Sequence, residues 1–302
     1  MKLIKTLLLL TILSAAGRAN AFEVDLSKGS AEALFGNDLK TPLTIENGQI
    51  RLPSRLSTIA LPVQGLKKYK LEIDAQVHDD FVIEKNGRAH IMTLKSGGYR
   101  LSSKYSIEFF NAEGKTIESY GEGVARRGGT SGFFLSNKRY TYKDVFYTPE
   151  DARFIKVNFE SNEKDTRIFA LRLQEETAEG TVNTNPKFSY GELNYSGWGP
   201  GREGRLYVMP DGKGKLISGY RGRSTVFPLE EGKKYRIHAK GTRGRVEINY
   251  YDKKGKRIKT SALIGLAAEG KSTEFSPPQN TAMASLYLVS AVMEEVSITE
   301  IK

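Results

Sequence analysis

Hydrophobic and polar residues alternate along short stretches of the chain, which is typical of β-strands that bury one face. Between Lys68 and Val77 every second residue is apolar, and the residues between them are polar or charged. The alternation returns at Tyr235, Ile237 and Ala239. A period of two places successive side chains on opposite faces of a strand. The pattern therefore predicts a core-facing strand in each half of the chain.

The two halves of the sequence repeat one another in order. Blocks that share apolar and turn residues recur at offsets of 166, 141 and 129 residues, namely 67–69 with 233–235, 107–115 with 248–256, and 146–159 with 275–288. Repeats of this length are tandem domains, because solenoid units repeat every ~20–50 residues. The drop in offset from 166 to 141 predicts an insertion at about residues 78–103 of the first copy.

Short turn signals separate the predicted strands. Glu113-Gly114-Lys115, Lys254-Gly255-Lys256 and Asp211-Gly212-Lys213 are examples, and no long amphipathic helical pattern interrupts them. Many short strands joined by turns favour an all-β fold of two tandem antiparallel β-sandwich domains. The predicted boundaries are 1–21 for a signal peptide, 22–176 for the first sandwich, 177–184 for a polar linker and 185–302 for the second sandwich.

The first residues have the three-part layout of a secretory signal peptide. Lys2 and Lys5 precede an apolar run from Leu7 to Ile12, and small residues follow up to Ala21. This run is shorter than the ~20 apolar residues that cross a bilayer. We therefore predict cleavage after Ala21 and a soluble mature protein, secreted or periplasmic, without a transmembrane segment. A retained membrane anchor is the alternative.

Composition limits the classes of site that the chain can carry. The sequence has no cysteine, so disulfides and thiolate metal sites are excluded and stability must come from buried apolar surface. Residues 181–302 hold 20 Lys and Arg against 12 Asp and Glu, whereas residues 22–180 hold 23 of each. A basic surface favours an anionic partner, although charged faces are often simply solvated.

The second copy carries a recognisable set of turn and core residues. It opens with residues 185–198, NPKFSYGELNYSGW, and continues with a Gly-Lys-Lys-Tyr strand start, an Asp-x-x-Gly-Lys turn and a Phe-x-x-Pro loop. This pattern resembles the galactose-binding-like jelly rolls that serve as carbohydrate-binding modules in secreted bacterial proteins. The resemblance covers most of 185–302 and extends weakly to 22–176. It implies jelly-roll domains and a poly- or oligosaccharide ligand.

The resemblance also bears on metal binding. Members of that family often have a Glu directly after the opening Phe, where it helps to bind a structural calcium ion, whereas Ser189 stands at that position here. Calcium takes six to eight oxygen ligands, carboxylates among them, and the chain has no Asp-x-Asp-x-Asp-Gly loop. We therefore expect no cofactor, and a structural calcium ion is the less favoured outcome.

Candidate ligand contacts form two groups in the second copy. The first surrounds the only Trp, where a ring and nearby guanidinium groups suit the CH face and hydroxyls of a sugar. The second consists of basic and aromatic residues on predicted strands. The candidates are Tyr195, Trp198, Arg202, Arg205, Tyr220, Arg221, Arg223, Arg236, His238 and Tyr251. The alternatives are that Trp198 plugs the end of the sandwich and that the charges serve solubility.

Three functions remain open at this point. The favoured hypothesis is an exported, non-catalytic carbohydrate-binding protein that binds an acidic glycan through its basic second domain. The alternative is a structural or adhesive envelope protein that uses the sandwiches for protein contacts. An enzyme would need a cluster in one groove, and His238 with Tyr251 and Arg236 is the only outline of one. No motif indicates a nucleic-acid partner, and the oligomeric state is left open.

Overall fold

The computed structural model describes residues 21–26, 34–36, 43, 45–78, 82–85, 90–93, 103–117, 131–134, 138–161, 165–176, 180–188, 198–200, 206–208, 216–218 and 221–302. Apart from a helical turn at Leu34 and Phe35, the regular elements of these residues are β-strands, and every pairing between the strands is antiparallel. The predicted all-β class is thereby confirmed. No helix within the described ranges is long and apolar enough to cross a membrane. The predicted signal peptide, apart from Ala21, lies outside these ranges.

The first half, residues 22–176, consists of two sheets and a separate hairpin. Its strands are β1 (Ala21–Asp25), β2 (Ile45–Glu46), β3 (Gln49–Arg51), β4 (Arg55–Ser57), β5 (Leu61–Pro62), β6 (Lys68–His78), β7 (Val82–Lys85), β8 (His90–Thr93), β9 (Lys104–Phe110), β10 (Ser131–Phe133), β11 (Tyr140–Tyr147), β12 (Phe154–Glu160) and β13 (Asp165–Glu175). One sheet has the order β11-β6-β13-β3-β2 with β1 on β13, and the other β10-β9-β12-β4 with β5 on β12. The hairpin β7–β8 lies where the sequence predicts an insertion.

The core of the first half lies between its two sheets. In β6 the residues with odd numbers from Tyr69 to Val77 are buried, as the alternation predicts. They meet the buried faces of β9, β11 and β12, where Tyr69 stacks on Phe146 with ring centroids 6.3 Å apart. Two residues of the polar face of β6, Lys68 and Asp74, are also buried. Asp74 accepts hydrogen bonds from Thr141 on the neighbouring strand β11 and from Arg139 just before it, which accounts for its burial.

The second half, residues 185–302, uses fewer and longer strands. They are β14 (Trp198–Pro200), β15 (Leu206–Val208), β16 (Leu216–Ser218), β17 (Arg221–Ser224), β18 (Phe227–Pro228), β19 (Lys234–Tyr251), β20 (Arg257–Gly265), β21 (Lys271–Phe275) and β22 (Met283–Ile301). The beginning of β19 pairs with β21 and with the end of β22. The end of β19 pairs with β20 and with the beginning of β22. Register irregularities between Lys240 and Arg245 separate these two sections.

The equivalent pairings in the first half belong to different sheets. There β6 pairs with β11 and β13 in one sheet, and β9 pairs with β12 in the other. By the offsets of the sequence repeat, β6 and β9 correspond to the two sections of β19, while β12 and β13 correspond to the two sections of β22. Each long strand of the second half therefore continues from one layer of the sandwich into the other.

Matching hydrogen bonds support the duplication. The backbone N–H of Gln64 donates to the Tyr69 hydroxyl at 2.9 Å, and that of Glu230 donates to the Tyr235 hydroxyl at 3.0 Å. The predicted turns at 113–115 and 254–256 are confirmed, because Gly114 has φ 74° and the equivalent glycine φ 76°. The third predicted turn, at 211–213, lies outside the described residues.

The segment between the halves is partly buried. Val182, Asn183 and Thr184 belong to the predicted linker, but Asn183 donates its side-chain amide to the carbonyl of Val296 and accepts from the N–H of Ile298, each at 2.8 Å. These bonds account for the full burial of Asn183, and the equally buried Thr184 shares a hydrogen bond with the Thr225 hydroxyl at 2.9 Å. The end of the predicted linker thus packs on β22, and the domain boundaries themselves stay a prediction.

Two side chains of the first half lie at this junction. The Tyr147 hydroxyl donates to the carbonyl of Val182 at 2.7 Å, and its ring packs against the core of the second half. The ammonium of Lys68 lies 6.0 Å from the centre of the Tyr147 ring. Burial lowers the pKa of Lys68, an effect that the charge of Glu176 opposes. Burial and Glu176 both raise the pKa of Tyr147. Lys68 is therefore buried by tertiary contacts that its place in the alternation does not predict.

Candidate functional site

The structure describes only part of the predicted ligand site. Tyr195, Arg202, Arg205 and Tyr220 lie outside the described residues. Arg221 belongs to β17, where its backbone pairs with Val289. Of the predicted contacts, the structure describes the side chains of Trp198, Arg223, Arg236, His238 and Tyr251.

Trp198 is a core residue. Its side chain is 3% exposed and packs on Phe188 with ring centroids 5.4 Å apart. The indole N–H donates to the carbonyl of Asn185 at 3.3 Å. Both the apolar ring and its only polar group are thus used inside the sandwich. The choice of Trp198 as a sugar contact is therefore wrong, and the alternative, that it plugs the fold, describes its environment.

Arg236 and His238 lie on the outward face of the first section of β19, as the alternation predicts. Arg236 forms an ion pair with Glu274 at 2.7 Å, and Lys240 on the same face pairs with Glu294 at 3.1 Å. His238 Nδ1 lies 3.1 Å from the Ser272 hydroxyl. These contacts already pair the two cations with carboxylates. This face offers little free positive charge to a ligand.

A second outward face, formed by β17, β22, β19 and β20, brings other predicted residues together. Val246 and Ile248 on β19 point into the core, as do Leu286 and Leu288 on β22. The residues next to them on each strand therefore point outward. The register aligns Arg223 with Tyr287 and Tyr287 with Glu247, and places Ser285 beside Asn249 in the next row. We call this set the Arg223 face, consisting of Arg223, Glu247, Asn249, Tyr251, Ser285 and Tyr287.

Arg223 stacks on an aromatic ring within this face. Its guanidinium carbon lies 4.6 Å from the centre of the Tyr287 ring, and its Nη2 donates to the Tyr287 hydroxyl. A guanidinium over an aromatic face gains cation–π attraction and is held in one plane. The cross-strand pairing of Arg223 and Tyr287 produces this contact.

The charge of Arg223 is not compensated by the described residues. No carboxylate among them forms an ion pair with Arg223, and its buried Nε finds no hydrogen-bond acceptor there. The neighbouring Glu247 is instead paired with Arg245 at 2.7 Å. A half-buried guanidinium that lacks a carboxylate partner gains free energy when an anionic acceptor reaches its solvent side. Arg223 is therefore the strongest candidate contact for an anion.

Tyr251 forms the buried part of the same face. Its hydroxyl lies 3.2 Å from that of Ser285. Burial raises the pKa of Tyr251, while the bond to Ser285 and the charges of Arg223 and Arg257 oppose the rise. Tyr251 is thus a neutral hydrogen-bonding group at ordinary pH. Arg236 and His238 lie in the other section of β19, so the outlined His238–Tyr251–Arg236 cluster is not assembled.

Sequence reasoning missed Tyr287 and Glu247. The alternation could have identified both as outward-facing residues. Tyr287, for example, stands between Leu286 and Leu288, which the repeat assigns to the core. The partner of an outward arginine lies on another strand, and that choice depends on register. Within the described ranges no group of three or more His, Cys, Asp or Glu could hold a metal ion. Ser189, which bears on calcium, lies outside them.

No protein-family model and no curated protein matches this sequence. Similar solved structures include the tandem CBM22 domains at the N-terminus of Xyn10C from Paenibacillus barcinonensis, with 11% identity over 95% of this chain and 99% of that chain and a TM-score of 0.31. The tandem CBM51 modules of the family 98 glycoside hydrolase Sp3GH98 from Streptococcus pneumoniae have 12% identity over 94% and 96%, with a TM-score of 0.24.

Allantoicase from Saccharomyces cerevisiae is also similar, with 11% identity over 100% of this chain and 99% of that chain and a TM-score of 0.29. The similar structures thus include tandem carbohydrate-binding modules, the class that the sequence resembles. At these identities and TM-scores the likeness carries no argument about ligand or reaction. A β-sandwich fold alone does not separate binding from catalysis.

Proposed function

We propose that this chain is an exported, non-catalytic carbohydrate-binding protein and that its second half binds an acidic glycan through the Arg223 face. The observation that carries the proposal is the half-buried guanidinium of Arg223, which no described carboxylate neutralises. The excess of basic residues in 181–302 adds long-range attraction for the same class of ligand.

The chemistry of the face suits a uronate or a sulfated sugar. A guanidinium can donate two parallel N–H bonds to a carboxylate or sulfate, and charge-assisted bonds of this kind are stronger than neutral ones. The Tyr287 ring fixes the plane of the Arg223 guanidinium. Glu247, half-buried and oriented by Arg245, offers an acceptor to sugar hydroxyls. On one sheet face, Arg223 would thus bind the anionic group of a sugar and Glu247 would accept hydrogen bonds from the neighbouring hydroxyls.

A glycan array followed by titration calorimetry on uronate oligosaccharides tests the proposal. R223A should weaken binding by about tenfold or more, because a bond to a charged group contributes ~1.5–3 kcal/mol. R236A is the matched control, since that arginine is already paired with Glu274, and it should leave the affinity within about twofold. Wild-type affinity in R223A, or no retention of the wild type on any acidic glycan, would contradict the proposal.

The alternative, an adhesive or structural protein, needs an apolar contact surface. Among the described residues the large hydrophobic side chains that are exposed are Leu66 and Ile258, one in each half. Two isolated side chains do not form an apolar patch of the size that marks protein interfaces. The described surface therefore favours the glycan over a protein partner.

Export is part of the proposal and has its own test. Cleavage after Ala21 would leave Phe22 as the first residue, and Phe22 pairs with Leu173 at the start of β1. The intact mass of the protein recovered from the periplasm or medium should correspond to residues 22–302. A mass that retains residues 1–21 would contradict the predicted cleavage.

A further inference from the structure

The hairpin between β19 and β20 carries the densest group of positive charges in the described part of the second half. Its tip, residues 252–259, has the sequence DKKGKRIK. The five cations of this tip are Lys253, Lys254, Lys256, Arg257 and Lys259, all of them exposed. None forms an ion pair with a described residue, in contrast to Lys233, Arg236, Lys240 and Arg245 elsewhere in this half.

The only acid of the tip is used to build the turn. The Asp252 carboxylate accepts the backbone N–H of Lys254 at 2.9 Å and that of Lys256 at 2.8 Å. Gly255 supplies the positive φ that the turn needs. The carboxylate is thereby directed to the backbone, and the lysine and arginine side chains extend into solvent.

The first half provides an internal control for this turn. Asn111 occupies the position of Asp252, and its side chain accepts the N–H of Lys115 at 2.9 Å. The backbone bonds that close the two turns are the same, with Asn111 N–H to Lys115 at 3.0 Å and Asp252 N–H to Lys256 at 3.0 Å. Yet the equivalent residues of the first half, 111–118, hold two acids, Glu113 and Glu118, and one base, Lys115. The turn therefore forms without the extra cations, so they are not required by its geometry.

The basic tip is continuous with the Arg223 face. Arg257 pairs with Tyr251 across the two strands, and its charge acts on the Tyr251 hydroxyl. Arg223 lies in the row of Glu247, whereas the tip begins after Tyr251, four residues and ~13 Å further along β19. A ligand that carries a single charge cannot use both, whereas a linear chain with a charge on each sugar can.

We propose that residues 252–259 form a second anionic contact, and that the ligand is a linear polyanionic polysaccharide rather than a single acidic sugar. This inference rests on the proposed function, because it assigns the class of glycan that the Arg223 face receives. The tip holds the polymer by charge alone, so this contact should depend strongly on salt.

The test exchanges the tip of the second half for that of the first. The variant K253A/K254E/R257T has the first-half residues at three positions and retains Asp252, Gly255 and Lys256. The matched control R236A removes a cation outside the tip. The probes are long-chain polygalacturonate and its trimer, and the affinity of each is measured from 0.05 to 0.5 M NaCl.

We expect the tip variant to bind the polymer about tenfold or more weakly at 0.1 M NaCl, where the Debye length is about 10 Å. Its affinity should also change less with salt, and its affinity for the trimer should be unchanged. Wild-type polymer affinity and salt dependence in the tip variant would overturn the inference while leaving the proposed function intact. If the wild type binds neither probe, both fail. Near-ultraviolet circular dichroism and the trimer affinity verify that the variant is folded.

Discussion

The two halves build the same sandwich in different ways. In the first half β6 and β9 lie in separate sheets, and the chain between them contains the hairpin β7–β8. In the second half a single strand of 18 residues, β19, corresponds to both β6 and β9. The buried positions nevertheless correspond, with Tyr69 and Tyr235 at one end of the core. Core positions and turns therefore define this fold, while the connections between its layers can be added or removed.

The outward faces differ more than the cores. The positions of Arg223 and Tyr287 are occupied in the first half by Ser57 and Asn158, which form a neutral hydrogen bond at 2.6 Å. The position of the buried Asn249 is occupied by Glu108, which accepts a bond from Asn158. One duplicated scaffold thus carries an uncompensated cation in one copy and a carboxylate in the other. Under the proposed function, the difference predicts that this face binds an anion in the second half but not in the first.

The largest expected effect comes from equivalent core phenylalanines. Phe146 is 1% exposed, whereas its counterpart Phe275 is only partly buried. F146A should lower the free energy of unfolding of the first half by about 3–5 kcal/mol, and F275A should have a smaller effect on the second half. Far-ultraviolet circular dichroism follows the urea unfolding of both halves, and Trp198 fluorescence follows that of the second half, since Trp198 is the only Trp and lies in that core. A larger loss in F275A than in F146A would contradict the assigned burial.

Alkaline pH should expose a second difference. Burial raises the pKa of Tyr250 to about 12, and the equivalent residue of the first half is Phe109, which cannot ionise. The unfolded tyrosine loses its proton near pH 10 and the folded one near pH 12, so the free energy of unfolding falls as pH rises between them. Y250F should lessen this fall, as measured by urea unfolding at pH 8 and pH 11. An unchanged pH dependence would show that Tyr250 is not the group responsible.

A smaller effect is expected at the turn before β6 and β19. Leu66 has φ 57°, whereas its counterpart Gly232 has φ 82°. Left-handed backbone costs a residue with a side chain roughly 1–2 kcal/mol, and glycine much less. G232A should therefore destabilise by about 1 kcal/mol, since a Cβ there would meet no atom within 4 Å and only the backbone strain remains. L66G should be neutral or stabilising by up to ~1 kcal/mol in thermal unfolding. A stabilising G232A would contradict this account.

The smallest effect should follow from moving the anion site to the first half. S57R/N158Y copies the stacked pair, but Glu108 would neutralise the new arginine, so no binding of acidic oligosaccharides is expected. Adding E108N, which copies Asn249, should permit weak binding detectable by calorimetry at millimolar ligand. Equal affinity of the two variants would show that the charge of Glu108 does not distinguish the faces.

Alternation and turn chemistry were enough to predict the strands around Tyr69 and Tyr235 and the glycine turns, because each depends on neighbours along the chain. The continuous path of β19 was not predictable, since the irregularities between Lys240 and Arg245 interrupt the period of two. Trp198 was misplaced because a ring in a glycine-rich segment can point either way until its partner Phe188 is known. Arg223 was predicted as a ligand contact, but its neighbour Tyr287 was not, because their contact depends on the register between two strands that are distant in sequence.

The long strands of the second half have a consequence for local opening. The backbone hydrogen bonds between β19 and β22 continue from one layer of the sandwich into the other. One layer therefore cannot detach without breaking hydrogen bonds of strands that also belong to the other layer. Sheets held together by side chains alone lack this constraint. Amide hydrogens of β19 and β22 should therefore exchange with solvent in a single cooperative event, whereas those of β6 and β9 can exchange as two separate units.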